Sequence, residues 1–439
     1  MCKVFEVYLA KADQPDSAAC AELSLPATPY EMQDAFDKLR LTEGEIPYWE
    51  ITGYRQFEEL SSVLNDTCGL QDLNALAQKL SELDERQCTA FAGLLAIEQR
   101  KNQPISISRL IDIAHSTDCC HVVDTALNDF RLGQFLAEND FLPEAVDLTD
   151  DAFELLDFER IGREHGQAEG GVFVERTADH PGGYVEQHSA LAEVYKPLDL
   201  SPKKPDYIFR VGVIHHPDAV PGADPTKEVF LNLPAAEEEF QKAEEQLDDP
   251  GWLGTVFTSF DGVIPGIEQM LYTTEDLPEL NQLSEKLSGM EPKELTAYKA
   301  LLEAANCHDL LSASLLADSL NKYIFSPQYS SPIEVAKGEL STILCDREAE
   351  IITPHVNLHQ YGQALIRSYN GVLTAYGLIE PRGPHMSPAE RVMWGAEEQG
   401  SERSFRLQAE TEVNGLCDDA GQPIQGMEES PTQGGMEMK

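Results

Sequence analysis

The feature that most constrains this chain is that it resembles itself. Val4-Phe5-Glu6-Val7 matches Ile208-Phe209-Arg210-Val211 at an offset of 204, and Leu23-Ser24-Leu25-Pro26 matches Leu231-Asn232-Leu233-Pro234 at 208. Ile51-Thr52-Gly53-Tyr54 matches Phe257-Thr258-Ser259-Phe260 at 206, and 70–98 matches 277–305 at 207 with 11 of 29 residues identical. Ordinary residue frequencies give about two identities over such a length. Phe158, Gly162, Gly171, Val172 and Phe173 match Leu358, Gly362, Gly371, Val372 and Leu373 at 200. Five blocks in one order at nearly one spacing indicate a tandem duplication of a whole domain set; a solenoid would repeat every few tens of residues.

Each copy reads as three sections. The first opens on an alternating strand, Val4 to Ala10, with a second candidate strand at Leu23 to Pro26. Thr28-Pro29-Tyr30-Glu31 is a helix start, with a hydroxyl cap, proline in the first turn and glutamate three residues after the cap. Trp49 to Tyr54 returns as a strand. The second copy has Ala236 at the cap position, which weakens that helix start. The middle section carries leucine stripes at helical spacing, Leu70, Leu73, Leu76, Leu80 and Leu83, repeated as Leu277, Leu280, Leu283, Leu287 and Met290. The third mixes helix and strand, and Gly170-Gly171 reads as a turn that opens a strand. The expected fold class is α+β: two tandem copies, each a small α+β unit, a helical-bundle section and a second mixed section. The expected bounds are 1–60, 61–105 and 106–187 in copy 1, a linker at 188–207, then 208–265, 266–312 and 313–383 in copy 2. A polar tail rich in Gly, Gln, Glu and Ser follows at 384–439, where disorder is expected.

Charge narrows function. The chain has 77 acidic and 32 basic side chains, a net charge of −45, and the surplus is spread along it. Residues 1–200 hold 38 acids and 15 bases, 201–383 hold 28 and 13, and 384–439 hold 11 and 4. The acidity therefore belongs to the folded sections and is no property of a tail. Phosphates would be repelled, which argues against direct nucleic-acid binding and against an anionic membrane surface. No apolar run approaches the ~18–20 residues of a membrane span. The opening segment, MCKVFEVYLAKADQ, lacks a signal-peptide core, and nine scattered cysteines without a C-x-x-C pair read as thiols in a reducing cytoplasm.

Catalytic signatures are missing. The chain has no P-loop, no G-x-G-x-x-G, no H-E-x-x-H and no nucleophile elbow. Asp147 to Asp157 lacks EF-hand ligand spacing. Vicinal Cys119-Cys120 next to His121 suits burial better than chelation. His215-His216-Pro217-Asp218 is the only suggestive cluster, but neighbouring side chains on a strand point to opposite faces, and copy 1 has Lys11 and Ala12 near that place. No catalysis and no cofactor are expected.

The acids themselves are patterned. In 147–159, DLTDDAFELLDFE, a helix would put Asp147, Asp150, Asp151 and Glu154 on one face and Leu148, Ala152 and Leu155 on another. A helical stretch within 235–249 crowds Glu237, Glu238, Glu239, Glu244, Glu245, Asp248 and Asp249. Like charges four apart on a helix cost a few tenths of a kcal/mol per pair, a cost without structural return. Duplex DNA carries one charge per ~1.7 Å of axis, so a surplus of 45 equals about 22 base pairs. Several helices and strands along one surface could approach that density.

At this point the residues resemble the ArdA antirestriction family of mobile genetic elements. The resemblance rests on Val4-Phe5-Glu6-Val7-Tyr8-Leu9, Leu23-Ser24-Leu25-Pro26-Ala27-Thr28, Trp49-Glu50-Ile51-Thr52-Gly53-Tyr54, Leu73-Asn74-Ala75-Leu76-Ala77, Leu110-Ile111-Asp112, Gly162 and Glu169-Gly170-Gly171-Val172-Phe173. It spans roughly 1–187 and, more faintly, 208–380. It implies an elongated three-domain protein that mimics bent B-form DNA and occupies the DNA site in the modification core of a type I restriction-modification enzyme. This chain departs from the family in being doubled, so the expected assembly is an internal pseudo-dimer in place of the usual dimer, with a homodimer as the alternative. The expected mimic surface comprises Asp112, Asp118, Asp124, Asp129, Glu138, Asp140, Glu144, Asp147, Asp150, Asp151, Glu154 and Asp157, with Glu237, Glu238, Glu244, Glu245, Asp248 and Asp249. One rival reading is an acidic scaffold for basic nucleoid or other DNA-binding proteins. Another is a metal-dependent hydrolase built on His215, His216 and Asp218.

Overall fold

The computed structural model describes residues 2–12, 18–41, 44–64, 68–101, 103–139, 141, 149, 153–196, 205–215, 227–247, 252 and 254–383. Within them the chain is α+β, with helices and four three-stranded antiparallel sheets. In the first half, β1 (Phe5–Lys11) lies between β2 (Cys20–Leu25) and β3 (Pro47–Tyr54). Phe5, Val7 and Leu9 point inward, which is the alternation a half-buried strand requires. Helix α1 (Pro29–Leu39) covers the sheet and starts at Thr28 with a full capping box to Glu31. Helices α2 (Leu70–Ser81), α3 (Glu85–Gln99) and α4 (Ile107–Ala114) follow, and the leucine stripe of α2 is buried.

The third section is a sheet in the order β4-β6-β5, from β4 (Cys120–Val123), β5 (Val172–Val174) and β6 (Gly183–Gln187), beside the pair α5 (Asp129–Glu138) and α6 (Phe158–Glu169). The two helices touch backbone to backbone. A Cβ on Gly133 would stand 1.9 Å from the Phe158 carbonyl oxygen, and one on Gly162 would stand 1.9 Å from that of Asp129. Gly170 ends α6 at φ +71°, a conformation that favours glycine, and Gly171 leads into β5.

The second half runs through the same order. Strands β7 (Phe209–His215), β8 (Val229–Leu233) and β9 (Thr255–Gly262) pair as β8-β7-β9, with α7 (Glu237–Leu247) alongside. Helices α8 (Leu277–Ser288), α9 (Pro292–Ala305) and α10 (Leu310–Ser319) come next. Then β10 (Tyr323–Ser326), α11 (Pro332–Ile343), α12 (Asp346–Ile352), α13 (Leu358–Ser368), β11 (Val372–Leu373) and β12 (Leu378–Pro381) complete it. The correspondence reaches single residues. The Leu25–Pro26 and Leu233–Pro234 bonds are both cis, and each central strand shifts register once against its second partner, skipping Thr52 and Thr258, although two residues further along β7 (Gly212/Val213) than along β1 (Glu6/Val7). Asn74 bonds both the N–H and the carbonyl of Ala27, and Asn281 does the same for Ala235. At the weakened helix start of the second half, Glu239 still accepts the Ala236 N–H at 2.9 Å.

One apolar cluster runs through all three sections of the first half, joining Val4, Phe5 and Leu25 through Leu73, Phe91 and Ile113 to Val172 and Val185. The segment from 188, expected to open the linker, packs on the first half. The Cys119 carbonyl accepts the His188 N–H, Ser116 Oγ accepts the Ala192 N–H, and one Asp112 carboxylate oxygen accepts the N–H groups of Val194 and Tyr195 at 2.8 and 2.9 Å. Residues 188–196 are thus strapped to the first half, because a buried acceptor claims their backbone donors.

Candidate acidic interaction surface

The structure divides the anticipated carboxylates. Asp112 is only 9% exposed and serves as the acceptor for the strap, so it is removed from the surface set. Asp118, in the turn before β4, and Asp124, just after that strand, are exposed. Asp129 opens α5 and lies 3.6 Å from Arg163 of α6, so its charge is partly matched. Glu138, at the end of α5, accepts from the Gln134 amide at 2.7 Å and stays exposed. Glu154 is exposed. Asp157 is not on a helix face but caps α6, accepting the Arg160 N–H at 3.1 Å. Asp140, Glu144, Asp147, Asp150 and Asp151, and hence most of the helix expected over 147–159, lie outside the described residues, as do Asp248 and Asp249.

In the second half, Glu237, Glu238 and Glu239 fill the first turn of α7, where carboxylates meet the unpaired N–H groups of the helix end favourably. Glu245 is exposed and Glu244 half-buried near the C-terminal end, where the same charge opposes the helix dipole. Asp118, Asp124, Glu154, Glu237, Glu238 and Glu245 form no ion pair among the described residues.

The sheet of the first half adds acids that reasoning from helical patterns missed. Tyr8 on the outer face of β1 pairs with Glu22 on one side and Glu50 on the other, and both glutamates are exposed. Glu6 is next on that face and bonds Arg55 and Ser24. The signal was available as the period-two alternation of FEVYLAK, CAELSL and PYWEITGY, whose outward positions hold the acids. The second half does not keep this face: Gly212 lies opposite Phe230 and Ser259, and Arg210 stacks on Phe230. The third section diverges likewise. The positions in register with Asp118, Asp124, Asp129, Glu138 and Asp157 are Asn321, Pro327, Pro332, Ser341 and Asn357.

Among the described residues no group of three or more His, Cys, Asp or Glu side chains could hold a metal ion. His215 is buried with Nε2 2.6 Å from the Leu247 carbonyl, while His216 and Asp218 lie outside the described residues. Burial pushes the Cys120 thiol up to about 12, with Cys119 adding to it, which leaves it a poor thiolate ligand. No described helix is long and apolar enough to cross a membrane.

No family model matches the chain, and no curated protein matches it.

Proposed function

We propose that the protein is an antirestriction inhibitor that presents folded carboxylates in place of DNA phosphates and occupies the DNA groove of a type I restriction-modification enzyme. The observation that carries this reading is the set of exposed acids without ion-pair partners among the described residues: Glu22 and Glu50 on the first sheet, Asp118, Asp124 and Glu154 in turns of the third section, and Glu237, Glu238 and Glu245 on α7. A surplus left uncompensated on rigid scaffolding costs stability through self-repulsion, and a cationic groove is the partner that repays it. The family resemblance of 1–187 points the same way.

The test is competition. The protein should displace duplex DNA from a type I methyltransferase, and should leave DNA bound to an unrelated basic protein of similar charge. Equal displacement from both would favour an acidic scaffold for cationic proteins. A ladder of charges has no single dominant residue, so one Asp→Asn change at Asp118 or Asp124 should do little, whereas neutralising a block should abolish inhibition. Total loss from any one such change would defeat the reading.

A further inference from the structure

The two halves meet through different surfaces of each. From the first half comes the outer side of α1 with its end: Tyr30, Asp34, Asp37, Lys38 and Arg40. From the second come Tyr207, Lys299 of α9 and the turns at Tyr329 and 375–376. Lys299 is 3% exposed and sits 3.0 Å from Asp34 and 2.9 Å from Asp37. The Tyr376 hydroxyl donates to Asp34 at 2.8 Å, and the Tyr30 hydroxyl donates to the Tyr207 carbonyl. Arg40, which ends α1 at φ +56°, donates to the carbonyls of Tyr376, Tyr329 and Ala375.

The register of the two halves shows whether the reverse pairing exists. Shared cis-prolines and capping glutamates fix the first-section register, which places Glu238 where Tyr30 stands, Lys242 for Asp34, Glu245 for Asp37 and Asp248 for Arg40. Capping boxes at Asp84 and Glu291 fix α3 against α9 and place Ala92 in register with Lys299. Gly183 and Gly377 share φ values of +143° and +151° and abut the carbonyls of Val123 and Ser326, which places Gly182 opposite Tyr376 in the comparison. Gly182 itself has φ +75° and a Cβ there would stand 2.7 Å from the Val174 carbonyl oxygen, so that site cannot accept a tyrosine.

We infer that α1 of the first half is a docking surface specific for the α9–β12 face of the second half, keyed by Lys299 between Asp34 and Asp37. The pairing is heterologous, so the expected internal pseudo-dimer does not have the two-fold form of a homodimer. A heterologous contact leaves one copy of each surface free at the ends and can propagate into a filament. Here the free copies have lost their key: α7 offers Glu238, Lys242 and Glu245 to a face that has Ala92 and Gly182. One chain therefore closes on itself and the contact does not propagate.

The experiment uses the full chain with a single protease site placed between 197 and 204, cut after folding. Each half has its own apolar cluster, that of the second half including Tyr30 of α1 as its one residue from the first, so the cut falls outside both clusters and circular dichroism of the nicked protein checks that the pieces stay folded. The nicked protein should sediment at micromolar concentration as one 1:1 species. Lys299→Ala should raise the dissociation constant of the nicked halves by about a hundredfold or more. Asp37→Asn combined with Arg40→Ala, which replaces no core residue, should also separate them, and circular dichroism of the uncut variants should be unchanged. Halves that fall apart without substitution, a nicked Asp37→Asn/Arg40→Ala protein that stays joined as tightly as the parent, or open-ended growth of the uncut chain with concentration would each overturn the inference.

Discussion

At the scale of residues, buried charges decide more than exposed ones. Burial alone would raise the Asp34 carboxyl, but Lys299, Lys38 and the Tyr376 hydroxyl outweigh it and hold it below its ordinary value of 3.8. Burial and the Asp34 charge drive the Tyr376 hydroxyl far above its ordinary 10.0. The signs follow by linkage. A depressed carboxyl stabilises the fold above its unfolded value and loses that contribution as pH falls through the lower folded one. A raised phenol stabilises below pH 10.0 and loses that contribution as pH rises. Urea midpoints should therefore hold across neutral pH and drop at both extremes, and Tyr376→Phe should remove part of the alkaline drop and, by taking a donor from Asp34, a smaller part of the acid one. A midpoint indifferent to Tyr376→Phe above about pH 10 would contradict this. Asp112→Ala should strand the Val194 and Tyr195 N–H groups, cost about 1–3 kcal/mol, and make the strap cleavable by proteases near 188–196.

At the scale of elements, the α5–α6 crossing depends on the absence of two side chains. Gly133→Ala would force a methyl group against the Phe158 carbonyl, and Gly162→Ala would do so against Asp129. Either should cost about 1–3 kcal/mol by overpacking, readable as a lower thermal midpoint. The second half shows a tolerated variation: Ala336 stands in register with Gly133, while Gly362 still faces the Pro332 carbonyl with no room for a Cβ. Ala336→Gly should consequently change stability far less than Gly362→Ala, and similar losses from both would count against this account.

At the scale of the whole molecule, the two halves share a path and differ in charge placement. The first half keeps an acidic sheet face and an acidic third section; the second lacks that sheet face and carries a cluster of five glutamates on α7. If the proposed mimicry operates, replacing Glu22, Glu50, Asp118, Asp124 and Glu154 together by amides should abolish methyltransferase inhibition. The same treatment of Glu237, Glu238 and Glu245 should weaken it by less. Inhibition should also fall steeply as salt is raised, as DNA binding does.

What could be read from the chain alone was whatever depends on local period. Strand alternation, leucine stripes, the Thr28–Glu31 cap and the helical stretch within 235–249 are local, because side-chain direction repeats every two or 3.6 residues. The doubled order of blocks is also legible, since it needs only self-comparison. Lys299 was a missed signal of this kind: it interrupts the apolar run of LTAYKALLEAA where the first copy has alanine. Only the tertiary structure could decide the roles of Asp112 and Asp34. A carboxylate looks the same in a sequence whether it faces water, claims two backbone donors or sits against a buried lysine, and the difference lies in what distant segments bring to it. For the same reason the way the halves face each other, through unlike surfaces, belonged to the folded chain alone.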